Sequence, residues 1–511
     1  MSCRRANPPN VKILIVGAGV GGLTMAALLE RAGIDYLVFE RAKEIKPLGS
    51  ALSLGANVMP IFQQLGILNE VLRHAKPFGF STGYNEQRQA TRTLDYSPAE
   101  KIGGYLPHII SRPTFYEILA KLVPPEKILM SKKVLSLLQN KEGVLIRCSD
   151  GSTYHGDILI GADGAYSAVR QALYKDLIKK GELPRADGLP LPFNTTCLVG
   201  QTRPLDPEKF PHMKDWHAWF ETTLGENKPY AYDQVKLANQ NRRLCHEQWV
   251  TFTTKANTIC WMVLRHLDDK ASREADHTFR NTEWGPEAAE AMCKEVRDLP
   301  VPRNNMTIGD LIDASPRELV SKVMLEEKLF DTWHAGRTCL IGDGAVSAIQ
   351  DAVVLANCIY ELSDNPSVDE ISKAFHLYKS ERYPHAKAAF DTSHRLAGLV
   401  GQSWYNEMFR AMIRYMPKSV FTRSLQVMYS YRPQVSFLDH VKDLGEIKPA
   451  PQPSMNRALA RREAELKGQT KLENDTMSLK ANSSLSATTA RTAATTTTVK
   501  TSSSFYGAKI A

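Results

Sequence analysis

The spacing of apolar positions changes repeatedly along the chain, and each change predicts an element. KILIV, Lys12–Val16, is apolar on nearly every position, as a strand covered on both faces requires. From Leu23 to Ala32 the apolar positions move to helical steps, and Tyr36–Glu40, YLVFE, reads as the next strand. Val58, Phe62, Leu65, Leu68 and Leu72 follow at three- and four-residue steps, which predicts one amphipathic helix over 55–74. Pro113 suits the first turn of a further short helix. Between 193 and 266 the character changes. FNTTCLVGQT, HAWFETT, QWVTFTT and TICWMVLRHL read as short strands rich in Thr, Val and aromatics, and predict an antiparallel sheet. Residues 267–305 are charged and read as surface helix and loop. The chain returns toward the first unit over Leu311–Ile341, and 366–430 reads mainly as helix.

Composition excludes more than it selects. The 511 residues carry a net charge of +9, but the lysines and arginines are scattered, with no basic stripe interleaved with aromatics, so nucleic acid is not an expected partner. No run of 18 or more apolar residues predicts a membrane span. The first apolar run is broken by glycines and lacks a small-residue cleavage site, so no signal peptide is read and a cytoplasmic location is expected. None of the eight cysteines forms C-x-x-C, and several lie in apolar stretches; buried thiols are expected, and no metal site.

The first chemical motif lies between the first strand and its helix. Gly17-Ala18-Gly19-Val20-Gly21-Gly22 is G-x-G-x-x-G. Gly17 permits the tight turn, Gly19 lets backbone approach a pyrophosphate, and Gly22 lets helix pack on strand. The helix then directs its positive end at the phosphates. Glu40 closes the next strand about 20 residues on, where a carboxylate takes ribose hydroxyls. Together these predict a Rossmann-like dinucleotide-binding βαβ unit in an α/β fold with a mostly parallel sheet. No V-A-I-K or H-R-D pattern follows, which sets aside a kinase loop. Spacing alone leaves NAD and FAD equally open.

More distant segments decide between them by resemblance. The glycine motif with Glu40-Arg41, the stretch ILIGADGAYSAVRQALY (Asp163, Gly164, Ser167, Arg170), the Gly342-Asp343 pair, SRPTFYEIL with Arg112, and YKSERYP with Tyr378, Arg382 and Pro384 occur in an order that resembles the FAD-dependent monooxygenases of the aromatic hydroxylase type, especially fungal members. The resemblance covers about 11–440. It implies an FAD-binding domain over 11–190 and 311–365, an inserted antiparallel β-sheet substrate domain over 191–310, and a C-terminal helical region over 366–445. It also implies cofactor contacts from Ser53, through its backbone, and from Arg112, Asp163, Asp343 and Ala345. Asp163 read on its own is also a helix-cap aspartate, and Arg112 an ordinary arginine ahead of a helix. The implied chemistry is hydride transfer from NAD(P)H to FAD, reaction with O2, and hydroxylation or epoxidation of an apolar or aromatic small molecule. No second G-x-G-x-x-G is present, so NAD(P)H is expected to bind transiently. No catalytic side chain is assigned. The tail 468–511 is Ser/Thr-rich, lacks apolar content to bury and is expected to be disordered.

One departure from the resemblance stands out. Asp343 is followed at once by GAVSAIQDA, where the family places a longer loop with Pro and several Gly; on the order of ten residues are missing, long by ordinary connection standards. A helix starting so near the strand end is expected to crowd the ribityl chain and to open the oxygen-reacting site to water. Weakened FAD binding and poor coupling follow as expectations, and they keep open a flavin dehydrogenase or oxidase and an impaired FAD-binding homologue. Trp216, Trp219, Phe220, Tyr230, Tyr232, Trp249 and Trp261 read as sheet core ahead of pocket lining. Met408–Leu425 mixes Met, Phe, Ile and Leu with Arg and Lys; packing on the FAD domain is the favoured reading over a peripheral membrane contact.

Overall fold

The computed structural model describes residues 8–44, 51–191, 193–225, 228–229, 244–245, 247–266, 286–326, 328–397, 408, 411–412, 415–461 and 463–464. Residues 1–455 form one compact unit and 456–511 a second, whose described residues are helical. Tyr230, Tyr232, part of the charged 267–305 stretch and the Ser/Thr-rich tail lie outside the described residues.

Six strands form the sheet that carries the glycine motif, in the order His334–Ala335, Thr338–Leu340, Ile158–Gly161, Lys12–Val16, Asp35–Phe39 and Ile128–Leu129. All pairings are parallel except the edge hairpin of the first two strands. Ile13, Leu14 and Ile15 are fully buried, as expected of a strand with both faces covered. The helices Val20–Ala32 and Ala345–Tyr360 pack against this sheet within one large core. Every residue from Ala348 to Tyr360 is buried, which explains why that helix is apolar nearly all round.

The single helix expected over 55–74 is two, Met59–Leu65 and Leu68–His74. Gly66 separates them at φ +79°, a left-handed geometry that ends the first helix and that apolar spacing does not encode. The helix over Arg112–Ala120 has Pro113 in its first turn.

The second large sheet has seven strands, in the order Ser321–Glu326, Phe193–Gln201, Ile259–His266, Glu247–Thr253, Phe220–Leu224, Phe80–Tyr84 and Ala90–Asp95. Four of the seven lie within 191–310; the others are recruited from either side of that span. Phe80–Tyr84 joins Phe220–Leu224 in parallel, and all other pairs are antiparallel. Strand alternation divides its side chains. Trp249, Trp261 and Val263 pack under the helices Pro286–Glu295 and Ile308–Ala314. Val250, Phe252 and Cys260 pack on Phe78 and Ile109. Trp249 donates to the Pro300 carbonyl at 2.7 Å and Trp261 to Ser315 Oγ at 3.0 Å, so both are core residues with satisfied indoles. Trp216 is exposed.

Candidate functional site

Three turns meet at the carboxyl ends of neighbouring parallel strands, the position where open α/β sheets bind ligands. The first is the glycine turn. Gly17 has φ +104°, and a Cβ there would fall 2.4 Å from the Ala162 carbonyl oxygen, so the turn is pressed against the next one. A Cβ on Gly22 would fall 1.9 Å from the Gly17 oxygen. Gly19 is the exception. A Cβ there meets nothing within 4 Å, and no side chain caps the Val20–Ala32 helix that Gly19 begins. Backbone donors at that helix end therefore face open space, which suits an anionic group.

Glu40 lies just past the second strand, and its carboxylate accepts the backbone N–H groups of Ala18 and Ala42, each at 2.9 Å. It therefore braces the glycine turn from the side. Ser53 lies in a small three-stranded sheet in which Ala51 stands opposite Ser111, and Arg112 opens the helix that follows Ser111. Ser53 is exposed. Arg112 is solvent-reachable but recessed, and desolvation by the surrounding protein lowers its pKa. Among the described residues its guanidinium has no hydrogen-bond or ion-pair partner.

The second turn follows Ile158–Gly161. Asp163 accepts Ser167 Oγ at 2.5 Å and the N–H groups of Ala168 and Val169 at 2.6 and 3.3 Å. Oδ2 thus caps the first turn of the helix Ala168–Lys180 while Oδ1 holds the N-cap Ser167, the plainer of the two readings its sequence allows. Burial raises its pKa. Arg170, one turn on, donates to the Ala165 carbonyl at 2.6 Å and lies over the Phe330 ring.

The third turn, Ile341–Gly344, joins the strand Thr338–Leu340 to the helix Ala345–Tyr360 in four residues. Two helices hold it. Asp351 Oδ2 accepts the Gly342 N–H at 2.8 Å, while its Oδ1 accepts Arg382 Nε at 2.7 Å; both side chains are almost wholly buried. Tyr378 Oη donates to the Leu340 carbonyl at 3.1 Å. Sequence reading matched Tyr378 and Arg382 to a motif but missed this pairing. The available signal was the one charged residue, Asp351, inside the mostly apolar AIQDAVVLA, since a buried charge requires a partner. The glycine-turn helix closes the third side: a Cβ on Gly21 would meet Ile341 Cδ1 at 2.9 Å and Ala348 Cβ at 3.0 Å.

The short turn does not fill the space beside it. Gly342, Asp343 and Gly344 border a cavity of about 390 Å³ that also touches Ser167, Arg170, Phe330 and Trp333. Asp343 is open to this cavity; the low dielectric around it raises its pKa, with Arg170 acting the other way. Ala345 opens the following helix, whose N-terminus has no side-chain cap. The expected crowding at the strand end is thus not what the geometry shows. A separate, water-sized cavity of about 20 Å³ beside Trp219, Glu221 and Arg303 is too small for a substrate.

Comparison with known proteins agrees with this arrangement. Residues 10–196 match the FAD binding domain family. The FAD-dependent monooxygenase andE of Emericella variicolor is 27% identical over 410 residues, spanning 75% of this chain and 79% of that protein. The FAD-dependent monooxygenase paxM of Penicillium paxilli is 28% identical over 407 residues, spanning 75% and 77%. This chain carries an FAD binding domain and is similar, over three quarters of its length, to fungal FAD-dependent monooxygenases. HpxO of Klebsiella pneumoniae, solved with FAD and uric acid, shares the fold with TM-score 0.62 at 18% identity, over 82% of this chain and 97% of that one. The open space at Gly19, the uncapped helix end and the unpartnered Arg112 fit the flavin nucleotide such proteins bind.

Proposed function

We propose that this monooxygenase uses NAD(P)H and O2 to hydroxylate or epoxidise an apolar or aromatic small molecule. The observation that carries the reading is the glycine turn braced by Glu40, within the segment that matches the FAD binding domain. In this reading Gly17, Gly19 and Gly22 shape the pyrophosphate cradle, and Glu40 lies beside the adenosine ribose. Asp343 accepts ribityl hydroxyls, and the helix beginning at Ala345 stabilises negative charge on the ring. Ser53 contributes backbone, Arg112 a free cation, and Asp163 order to the turn beside the pyrophosphate. When bound, FAD supplies the redox chemistry; the protein supplies position, charge and exclusion of water.

The apolar substrate class is supported by a row of rings. Phe252 stacks on Phe220 at 5.7 Å and Phe220 on Phe78 at 5.5 Å, while Tyr96 meets Phe78 edge-on at 5.1 Å. These rings belong to the face of the seven-stranded sheet that packs with Ile109.

The four-residue turn favours a second reading, in which O2 is reduced to hydrogen peroxide without substrate oxygenation. One experiment separates the two: NAD(P)H oxidation by the flavin-loaded protein, with candidate apolar substrates and labelled O2. Oxygenation predicts label in the product at near one oxygen per NAD(P)H. Stoichiometric peroxide with no labelled product selects the oxidase reading. Protein that stays colourless in excess FAD refutes both.

A further inference from the structure

We propose that Tyr96 and Tyr429 determine specificity: their phenol hydroxyls hold a hydroxyl or carbonyl oxygen of an otherwise apolar substrate. The proposal rests on the monooxygenase reading above and deepens it. A buried tyrosine ordinarily finds a partner for its hydroxyl. Tyr36 donates to Glu30 at 2.8 Å, Tyr174 to the Thr332 carbonyl at 2.8 Å, Tyr378 to the Leu340 carbonyl at 3.1 Å and Tyr431 to Glu381 at 3.0 Å. Tyr429 is 4% exposed and Tyr96 half-buried, yet among the described residues neither hydroxyl has a hydrogen-bond partner. Both oxygens keep some accessible surface, unlike the sealed Thr223 Oγ1 or Ser436 Oγ. An unmet hydroxyl in an apolar setting costs stability, and Phe would fill either place without that cost.

Position says what the two hydroxyls meet. Tyr429 lies near the end of the helix Lys418–Ser430, which buries it and Leu425 among Ala56, Ala99 and Ile102. Packing on the body of the protein, the reading the sequence favours, is thus what this helix does. The Tyr429 ring is pressed on Gly55, where a Cβ would fall 2.3 Å from Tyr429 Cε1. Gly55 lies two residues past Ser53, so the ring borders the strand that contacts flavin in the proposed reading. Tyr96 packs against the same cluster. It meets Phe421 edge-on at 5.2 Å and Phe78 edge-on at 5.1 Å, at the end of the ring row. Desolvation raises the pKa of both phenols, and Tyr96 adds to the rise at Tyr429, which puts the two hydroxyls in one neighbourhood. Both stay neutral, able to donate or to accept. The apolar cluster beside them is incompletely covered. Phe220, Met262 and Leu264 from the seven-stranded sheet, and Ala51 from the strand of Ser53, are only partly buried against it. A ring system laid on that face has hydrocarbon along its flat side and the two phenols at its rim.

The test compares one ring system with and without an oxygen: naphthalene, 2-naphthol and 2-acetylnaphthalene. Each is titrated by equilibrium dialysis against the FAD-loaded full chain without NAD(P)H. Wild type should bind 2-naphthol or 2-acetylnaphthalene roughly tenfold more tightly than naphthalene, and the tighter of the two tells which oxygen the site takes. Tyr96→Phe and Tyr429→Phe should each weaken that probe about fivefold and leave naphthalene unchanged. A merely structural tyrosine would not move this ratio. The unfolding midpoint of either variant without probe should hold or rise, because no hydrogen bond is lost. Wild type that binds no probe or all three alike, variants that lose naphthalene as much as the oxygenated probe, or a midpoint lowered by either substitution overturns the proposal. Failure of the monooxygenase reading has a different signature. The preference and its loss in the variants would persist, while labelled O2 leaves no label in product.

Discussion

Replacing Arg382 by Met tests whether the buried pair behind Gly342 holds the third turn. Arg382 is fully buried and its Nε lies 2.7 Å from Asp351 Oδ1. Met fills most of the volume but leaves the Asp351 carboxylate in low dielectric with its cationic partner gone. Removing one partner of a buried ion pair costs about 3–5 kcal/mol. That is a large part of the roughly 5–15 kcal/mol that keeps a domain folded. The double variant D351N/R382M discriminates the cause. It removes both charges, and the Asn side-chain oxygen can still accept the Gly342 N–H. Its cost should return to within about 2 kcal/mol of wild type, giving a coupling of at least ~1–3 kcal/mol. Urea unfolding followed by circular dichroism gives the stabilities, and FAD fluorescence titration reports whether affinity for the cofactor changes with the turn. If R382M lies within about 1 kcal/mol of wild type, or the double variant is no more stable than the single, an uncompensated buried charge is not what holds this turn.

Three further outcomes are expected. Gly19→Ala should fold normally, because its Cβ meets no atom, yet bind FAD roughly tenfold or more weakly in fluorescence titration, about 1.4 kcal/mol. Gly22→Ala, whose Cβ would collide with the Gly17 carbonyl, should instead lower the unfolding midpoint with or without FAD. Acid should destabilise the protein between pH 6.5 and about 4. Burial lowers both His334 and His385 from 6.5 to about 4, so the unfolded chain binds more protons in that window and stability falls as pH drops through it. His385→Gln should flatten this dependence, measured as unfolding midpoint against pH.

Legibility followed the range of the interaction. The glycine turn and its strand–helix–strand frame were readable because local spacing and glycine sterics determine them: Gly17 and Gly22 lie where any side chain would strike backbone. The break at Gly66 was not readable from apolar periodicity, which runs unbroken through a residue whose effect is on φ. The seven-stranded sheet was half readable. Its four strands between 193 and 266 carry the expected Thr, Val and aromatic pattern, but nothing in FSTGY announces a parallel partner 139 residues away, since strand pairing is a long-range choice. Asp163 shows the cap that its spacing allows: its three hydrogen bonds go to Ser167 Oγ and to the Ala168 and Val169 N–H groups at the start of the following helix.

The shortened turn draws these threads together. A connection of four residues between a buried strand and a buried helix has little freedom of its own, so its shape is imposed from outside. Three neighbours impose it: Asp351 on the Gly342 N–H, Tyr378 on the Leu340 carbonyl, and the Gly21 face against Ile341. A longer loop would place side chains over the cavity at Asp343; here that space is left as an opening of about 390 Å³. Rigid anchoring of the turn favours binding if Asp343 meets the flavin as proposed, while the opening beside it favours entry of water. The two effects act on different measurements, affinity for FAD and yield of product per NAD(P)H. The geometry therefore predicts a protein that holds flavin better than it couples oxygen. Filling the cavity with Ser347→Phe should raise product yield without raising FAD affinity; a variant in which both move together would show that one wall governs both.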